Sequence, residues 1–289
     1  MIPPSIIAVA GESIISLYPS LLKTVQASLW MRTFIRFFTF PVIAIMLGSF
    51  SAFKEAWSSS VLSSIAEGLV NIIHVISSFI SHEKLQIGTS TSIFYTHPIF
   101  ILLWAMISSR KFYMSYIIIS LIAFYGAYLI ATSHLSEDDE HDRNNKNDRT
   151  DIMIGIISAF ISAITETIIY VLVKEAKNPF LNMYRLYPPG LLLLIIYGAF
   201  NINEIKSDFQ HEKIGKLLLF NIAIAFVGYM LRFVSITLVS PFVFSFLSFV
   251  GIVASFMWGI IINKEIPTKK GVVGSLLIIV SVIISRLIT

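Results

Sequence analysis

Long apolar segments alternate with short polar ones along almost the whole chain. Ten apolar runs cover roughly residues 2–22, 28–47, 57–80, 88–108, 113–133, 152–173, 182–200, 216–236, 240–262 and 271–288. A helix rises about 1.5 Å per residue, so about 20 residues cross the ~30 Å hydrocarbon core of a bilayer. The pattern therefore predicts an all-α integral membrane protein with ten transmembrane helices.

Residues 134–151 (HLSEDDEHDRNNKNDRTD) interrupt this pattern with seven acidic and three basic side chains. They leave five apolar runs on each side, in residues 1–133 and 152–289. We interpret 134–151 as a solvated linker between two halves, because so polar a segment has no apolar surface to bury. A metal-binding role for its histidines and aspartates is the less favoured alternative.

The two halves resemble each other when they are aligned 154 residues apart. Rare residue types coincide at this offset: Glu12 with Glu166, Lys23 with Lys177, Trp104 with Trp258 and Arg110 with Lys264. Because each half holds an odd number of helices, the second half must enter the membrane in the opposite sense. The sequence therefore predicts two inverted five-helix repeats, a transporter architecture that places the binding site near the midplane between the repeats.

The composition agrees with a membrane protein and limits its partners. Hydrophobic residues make up 56% of the chain and charged residues 13%, whereas a soluble domain carries about 25% charged residues. The net charge is only +4 and the basic residues are scattered, so we expect no nucleic-acid partner. The chain has no cysteine, which excludes disulfides and thiolate metal ligands, and we expect neither a metal nor a cofactor.

Polar side chains within the apolar runs follow single helical faces, at spacings of three or four residues. In a bilayer such a stripe must face protein or water. The candidate residues for binding substrate or protons are Glu12, Glu166, Glu67, Asn71, His74, Arg32, Arg36, Arg185, Arg232 and Tyr170. We predict that their stripes converge on a polar cleft.

Glu12 and Glu166 are the strongest of these candidates. Both lie deep in their runs, where a charged side chain costs roughly 2.5–3.5 kcal/mol, and they recur in both halves. A carboxyl group in apolar surroundings can bind and release a proton near neutral pH. For the arginines, a structural role in ion pairs or at the interface is an equal alternative, and we interpret His97 as a hydrogen-bonded structural residue.

The charge of the substrate stays open. Two deep carboxylates suit a cation or an amine, whereas four arginines suit an anionic metabolite.

The closing segment, residues 240–285, resembles EamA-type members of the drug/metabolite transporter superfamily. The matching features are a proline that opens the ninth helix, a basic–acidic pair, a Pro-Thr pair and a glycine-led last helix: Pro241, Lys264, Glu265, Pro267, Thr268, Gly271 and Gly274. Residues 97–131 repeat the pattern more loosely, with Lys111 in the place of Glu265.

This resemblance implies a secondary active transporter in a plasma or inner membrane, with both termini in the cytoplasm. It would move a small organic metabolite (an amino acid, an amine or a drug-like solute) by alternating access, as a monomer or homodimer, with proton coupling or exchange. In the related small multidrug resistance family, a proton-exchanging glutamate precedes a lysine by eight residues. Glu166 and Lys174 have this spacing, whereas Glu12 and Lys23 are eleven residues apart.

Other classes of function receive less support from the sequence. It contains no G-x-x-x-x-G-K-[ST] phosphate-binding loop and neither of the protease patterns H-E-x-x-H and G-x-S-x-G, so we expect no enzyme. The alternative function is a channel- or receptor-like multi-helix membrane protein without coupled transport.

Overall fold

The structure, a computed structural model, describes residues 3–47, 50–58, 61–85, 87–110, 112, 114–133, 146–176, 178–264 and 269–288. The regular elements within these ranges are all helical. The first half comprises α1 (Pro4–Leu22), α2 (Leu29–Met46), α3 (Phe50–Ser58), α4 (Val61–Lys84), α5 (Ile87–Phe94), α6 (His97–Ser109) and α7 (Met114–Ser133).

The second half begins with a longer helix and has more interruptions. It comprises α8 (Lys146–Ala176), α9 (Pro179–Leu186), α10 (Pro188–Phe200), α11 (Ile202–Ile205), a 3₁₀ turn (Lys206–Asp208), α12 (His211–Phe220), a π-helical segment (Asn221–Phe226), α13 (Val227–Leu238), α14 (Pro241–Ser248), α15 (Val250–Asn263) and α16 (Lys269–Ile288).

Eight helical stretches within the described residues are long and apolar enough to cross a membrane. They are Pro4–Leu22, Leu29–Met46, Val61–Lys84, Ile87–Ser109, Thr150–Ala176, Pro179–Phe200, His211–Leu238 and Pro241–Ile262. The fifth and tenth apolar runs form α7 and α16, and the apolar part of α7, Met114–Leu129, is shorter. Eight spans are thus supported by length and hydropathy, and ten inverted spans remain a prediction.

Several boundaries differ from those that the hydropathy pattern predicts. The third run, 57–80, is divided between α3 and α4, and α4 continues to Lys84. Residues 146–151 of the predicted linker form the first turns of α8, whereas residues 134–145 lie outside the described residues. Lys111 and residues 265–268 of the family motif also lie outside them.

Two interrupted helices occupy equivalent places in the two halves. The α5–α6 pair begins at Ile87 and ends at Ser109, and the α14–α15 pair begins and ends 154 residues later. Each pair ends at a residue in the left-handed conformation, Arg110 with φ 52° and Lys264 with φ 57°. A non-glycine residue rarely adopts a positive φ, so this coincidence supports the predicted repeat.

The packing between helices is also reciprocal. α4 packs along α8, and α1 packs along α13. α1 also contacts α14 and α15, while α8 contacts α5 and α6, and α7 lies alongside α16. Each contact therefore recurs with the two halves exchanged, as a two-fold relation between repeats would require.

Small residues allow the close approach of α1 and α13. A Cβ at Gly11 would lie 3.0 Å from the backbone nitrogen of Arg232, and one at Gly228 would lie 2.8 Å from the side chain of Ile15. Close approach at small residues is typical of membrane helices. It brings Glu12, the residue after Gly11, to the backbone that carries Arg232.

The outer surface of the helical bundle is apolar. Large side chains such as Ile107, Leu121 and Ile283 are exposed on it, whereas Glu12, Glu166 and other charged groups lie inside. A soluble monomer rarely exposes so much apolar surface, whereas lipid covers it in a bilayer.

We predict that substitution of Gly126 destabilises the α7–α16 contact. A Cβ at this position would lie 2.6 Å from the carbonyl oxygen of Gly274, a backbone atom that cannot rotate away. Gly126→Ala should lower the melting temperature in detergent by roughly 3–10 °C, since overpacking costs about 1–3 kcal/mol. Gly215→Ala is the control, because a Cβ there has no neighbour within 4 Å and gains the same helix propensity. Equal melting temperatures for the two variants would contradict the prediction.

The predicted five-helix halves place residues 134–151 and the C-terminus on opposite sides of the membrane. If α16 (Lys269–Ile288) did not cross, both would lie on the same side. The chain lacks cysteine, so Ser136→Cys and Thr289→Cys provide unique labelling sites. In oriented vesicles, an impermeant maleimide should label one variant from outside and the other only after permeabilisation. Labelling of both from the same side would refute the five-helix halves.

Candidate functional site

One buried guanidinium lies between the two candidate glutamates. Nε of Arg232 is 3.2 Å from Oε1 of Glu12, and its Nη2 is 3.2 Å from Oε1 of Glu166. The side chains of Arg232, Glu12 and Glu166 are 0%, 0% and 1% exposed. Three of the ten candidate residues therefore meet here, between α1, α8 and α13.

His74 extends this chain from α4. Its Nε2 lies 3.2 Å from Oε2 of Glu166. Its Nδ1 lies 3.1 Å from the carbonyl oxygen of Ser162 and 3.3 Å from the hydroxyl of the same residue. The imidazole ring of His74 therefore lies between the Glu166 carboxyl group on one side and the carbonyl and hydroxyl groups of Ser162 on the other.

The break between α5 and α6 contributes two further residues. The Tyr95 hydroxyl donates to Oε2 of Glu12 at 2.9 Å. Arg232 Nη2 donates to Nε2 of His97 at 2.7 Å, and His97 Nδ1 donates to the Phe94 carbonyl at 3.1 Å. Since a guanidinium only donates, His97 is the neutral tautomer with its proton on Nδ1.

Sequence reasoning missed Tyr95 and gave His97 only a structural role. The available signal was the His97-Pro98 pair in the middle of an apolar run, since proline lacks the N–H that continues a helix. Gly251 leaves space for Tyr95, because a Cβ at Gly251 would overlap the tyrosine hydroxyl. The tyrosine can therefore reach Glu12.

Arg36 is buried beside this chain but belongs to a different environment. Its guanidinium carbon lies 4.5 Å from the centre of the Tyr229 ring and 5.5 Å from that of Tyr18. The residue is 3% exposed and lines a small cavity of about 30 Å³. Within the described residues, no carboxylate forms an ion pair with it.

Glu67, Asn71 and Arg185 form a separate group at the junction of α4 with α9. Arg185 Nη1 is 3.7 Å from Oε1 of Glu67, and Asn71 Nδ2 donates to the Leu186 carbonyl at 2.9 Å. Glu67 precedes His74 by seven residues, which is about 10 Å along a helix. These candidates therefore do not join the chain of Glu12 and Glu166.

Arg32 and Tyr170 also lie apart from it. Arg32 Nη1 is 3.6 Å from Oε2 of Glu83, whose side chain is 51% exposed, so this ion pair is peripheral. The Tyr170 ring packs against Trp104 and Phe244 at centroid distances of 6.2 and 5.0 Å. It fills space in the core and makes no contact with the glutamates that the structure records.

Lys174, the residue eight positions after Glu166, caps a neighbouring helix. Its Nζ donates to the carbonyl oxygens of Ile236 and Val239 at 2.8 and 2.7 Å. These acceptors lie at the end of α13, where cations are favourable. In this conformation Lys174 does not pair with Glu166, which binds Arg232 instead. Across the part of the chain that the structure describes, no group of three or more His, Cys, Asp or Glu could hold a metal ion.

Comparison with known proteins agrees with this architecture. Residues 150–287 match the EamA-like transporter family. No curated protein matches the sequence. A solved structure titled "Crystal structure of protein" is similar over 99% of this chain and 98% of its own, with a TM-score of 0.73 and 10% identity. At that identity the likeness shows the fold alone.

The fold and the sequence match therefore lead to one conclusion. The resemblance of the closing segment is confirmed over a longer stretch, from residue 150 to residue 287. Apolar helices long enough to cross a bilayer, with charged groups buried between them, make this a multi-pass membrane protein. Residues 150–287, just under half of the chain, are thus similar to the EamA-like transporter family, which is consistent with the drug/metabolite transporter superfamily.

Proposed function

We propose that the protein is a secondary active transporter that moves a small organic solute by alternating access and couples this movement to a proton. The observation that carries the proposal is the chain of buried groups from Glu12 through Arg232 and Glu166 to His74. The family contains membrane transporters, which favours transport over catalysis.

The side chains of His74 and Glu166 can together gain or lose one proton while their heavy atoms stay in place. In one arrangement the Ser162 hydroxyl donates to Nδ1 of His74, and Nε2–H donates to an ionised Glu166. In the other, Nδ1–H donates to the Ser162 carbonyl, so Nε2 and Glu166 share an additional proton. The neutral and charged forms of imidazole allow both patterns.

The charges of Arg232, Glu12 and Glu166 make the charge balance of the site depend on whether this proton is bound. Arg232 contacts two carboxylates, so the three groups carry a net charge of −1 when both glutamates are ionised. Charge in an apolar interior is costly unless nearby groups balance it. A proton on the His74–Glu166 pair changes the charge of these groups from −1 to 0, so the charge balance of the site depends on the proton.

These links also join the two halves of the chain. Glu12 on α1 pairs with Arg232 on α13, and His74 on α4 pairs with Glu166 on α8. Any motion that separates α1 and α4 from α13 and α8 must weaken these contacts. Proton binding neutralises part of the network, so we infer that it lowers the cost of that motion and couples the proton to alternating access.

We predict that Glu166→Gln uncouples transport from the proton gradient. Its amide keeps the shape of the carboxyl group but cannot ionise. In proteoliposomes screened with labelled amino acids, amines and monocarboxylates, gradient-driven net uptake should fall at least about tenfold, the scale of removing a proton-transfer group. Exchange of internal for external solute should continue, since exchange requires no net proton movement.

Glu212→Gln is the control for this experiment. Glu212 is an exposed residue that pairs with Lys216 one helical turn away, and it has no contact with the buried chain. This variant should retain both net uptake and exchange. Undiminished gradient-driven uptake by Glu166→Gln would refute proton coupling at Glu166, and flux that never saturates would indicate a channel instead.

We predict further that the proton site can be observed without a substrate. Trp258 Nε1 donates to the Ser13 carbonyl at 3.1 Å, next to Glu12, so its fluorescence should report rearrangement of the site. Purified protein should show a reversible fluorescence change between about pH 5 and pH 9, where an imidazole–carboxyl pair titrates. Glu166→Gln should abolish most of this change, and Glu212→Gln should preserve it. A pH response that is the same in all three proteins would contradict the assignment.

A further inference from the structure

Arg36 and Arg232 are both buried, but only Arg232 has acidic partners. Arg232 contacts two carboxylates and a histidine. Arg36 has no carboxylate partner within the described residues, and its Nε and Nη2 are buried without a hydrogen-bond acceptor. Among the described residues, Arg36 is thus a buried cation that has no acidic partner and two donor atoms without an acceptor.

Aromatic rings surround Arg36 but cannot replace an anion. Its guanidinium lies over the rings of Tyr229, Phe40, Tyr18 and Phe79, at 4.5, 5.4, 5.5 and 5.9 Å. A desolvated cation–π contact contributes about 2 kcal/mol, whereas removing a guanidinium from water costs several kcal/mol. Nε and Nη2 of Arg36 have no acceptor among the described residues. A carboxylate would satisfy both of them at once.

Arg36 lines a cavity of suitable size. The cavity that Arg36 lines has a volume of about 30 Å³, and its wall includes Tyr95, Tyr18 and Thr91. Thr91 Oγ1 is also buried without a hydrogen-bond partner. A cavity needs a volume of at least about 10–15 Å³ to hold one water molecule. The cavity beside Arg36 therefore has room for one or two waters or for a single carboxylate group.

Each carboxyl oxygen of Glu12 and Glu166, by contrast, already lies within 3.2 Å of a protein nitrogen or hydroxyl group. Oε1 of Glu12 contacts Arg232, and its Oε2 accepts from Tyr95. Oε1 of Glu166 contacts Arg232, and its Oε2 contacts His74. A cationic solute would have to displace Arg232, whereas an anion at Arg36 would displace no carboxylate of the described residues.

We propose that Arg36 binds the carboxylate group of the transported solute, so the substrates are small carboxylic acids in their anionic form. This inference rests on the proposed transport function and decides between the anion and the cation that the sequence left open.

The charge balance couples this anion to a proton. With both glutamates ionised, the charges of Arg36 and Arg232 cancel those of Glu12 and Glu166. A bound carboxylate adds −1, and a proton on the His74–Glu166 pair restores neutrality. Arg36 acts electrostatically on both members of that pair. The other ionisable groups that act on the pair are Arg232, Glu12 and His82. Anion and proton should therefore bind together and cross the membrane as an electroneutral unit.

Binding of simple ions to the purified protein tests this assignment. The probes are acetate, propionate and lactate as carboxylates, methylammonium as the cation, and chloride and inorganic phosphate as other anions. We expect at least one carboxylate to raise the melting temperature of the wild-type protein, and methylammonium, chloride and phosphate to raise it less. Stabilisation by methylammonium alone, or by chloride or phosphate but by no carboxylate, would overturn the proposal.

Two variants of α2 provide a matched comparison. Arg36→Gln should weaken carboxylate binding at least about tenfold, the usual effect of removing a charged hydrogen-bond donor. Arg32→Gln, one turn earlier on the same helix, changes the peripheral pair with Glu83 and should alter binding less than about twofold. If Arg36→Gln does not fold, Arg36→Lys tests the same point, because it keeps the charge but loses the bidentate geometry. Unchanged carboxylate affinity in a folded Arg36 variant would refute the assignment.

The pH dependence tests the coupling separately. Carboxylate binding by the wild-type protein should be about tenfold tighter at about pH 6 than at about pH 8, and Glu166→Gln should lose this difference. Equal pH dependence in both proteins would refute the coupling.

Binding and uptake measurements on the same protein variants distinguish this inference from the proposed transport function. Arg36-dependent carboxylate binding without uptake into proteoliposomes would refute transport and retain the anion site. Uptake of a cation that Arg36→Gln leaves unchanged would refute the anion site and retain transport.

Discussion

The bridge formed by Arg232 is the interaction on which the rest of the interior depends. One guanidinium lies between Glu12 and Glu166, with both carboxylates fully buried. Removing one member of a buried ion pair typically costs about 3–5 kcal/mol, because the remaining charge is left without a partner. The close contact at Gly11 brings the two helices together, and His97 accepts one of the remaining guanidinium protons.

The two-fold resemblance of the halves does not extend to the chemistry of their centre. The position in α4 that corresponds to Arg232, 154 residues earlier, is occupied by Ser78. A single arginine therefore serves both glutamates, and their other oxygens contact different groups. Glu12 accepts from a tyrosine, whereas Glu166 faces a histidine. Equivalent positions thereby acquire different capacities for holding a proton.

The two buried arginines illustrate how surroundings assign roles to identical side chains. The carboxylates around Arg232 neutralise it and make it part of the connection between the halves. The rings around Arg36 stabilise its charge only partly and leave two of its nitrogens without an acceptor, beside a cavity that the residue lines. A cation paired with carboxylates holds helices together, whereas one without an acidic partner is available to an anionic ligand.

The sequence by itself determined the class of protein, the approximate positions of most helices and the two deep glutamates, because hydropathy and helical spacing are local properties. It also contained the family resemblance at its C-terminal end. Only the tertiary structure decided which candidates meet: Glu67 pairs with Arg185, Arg32 with Glu83, and Arg36 with no acidic residue among those described. It also placed Tyr95 on Glu12 and His97 on Arg232, across 83 and 135 residues of chain. No local pattern encodes such pairs, because the packing of whole helices determines which side chains come within hydrogen-bonding distance.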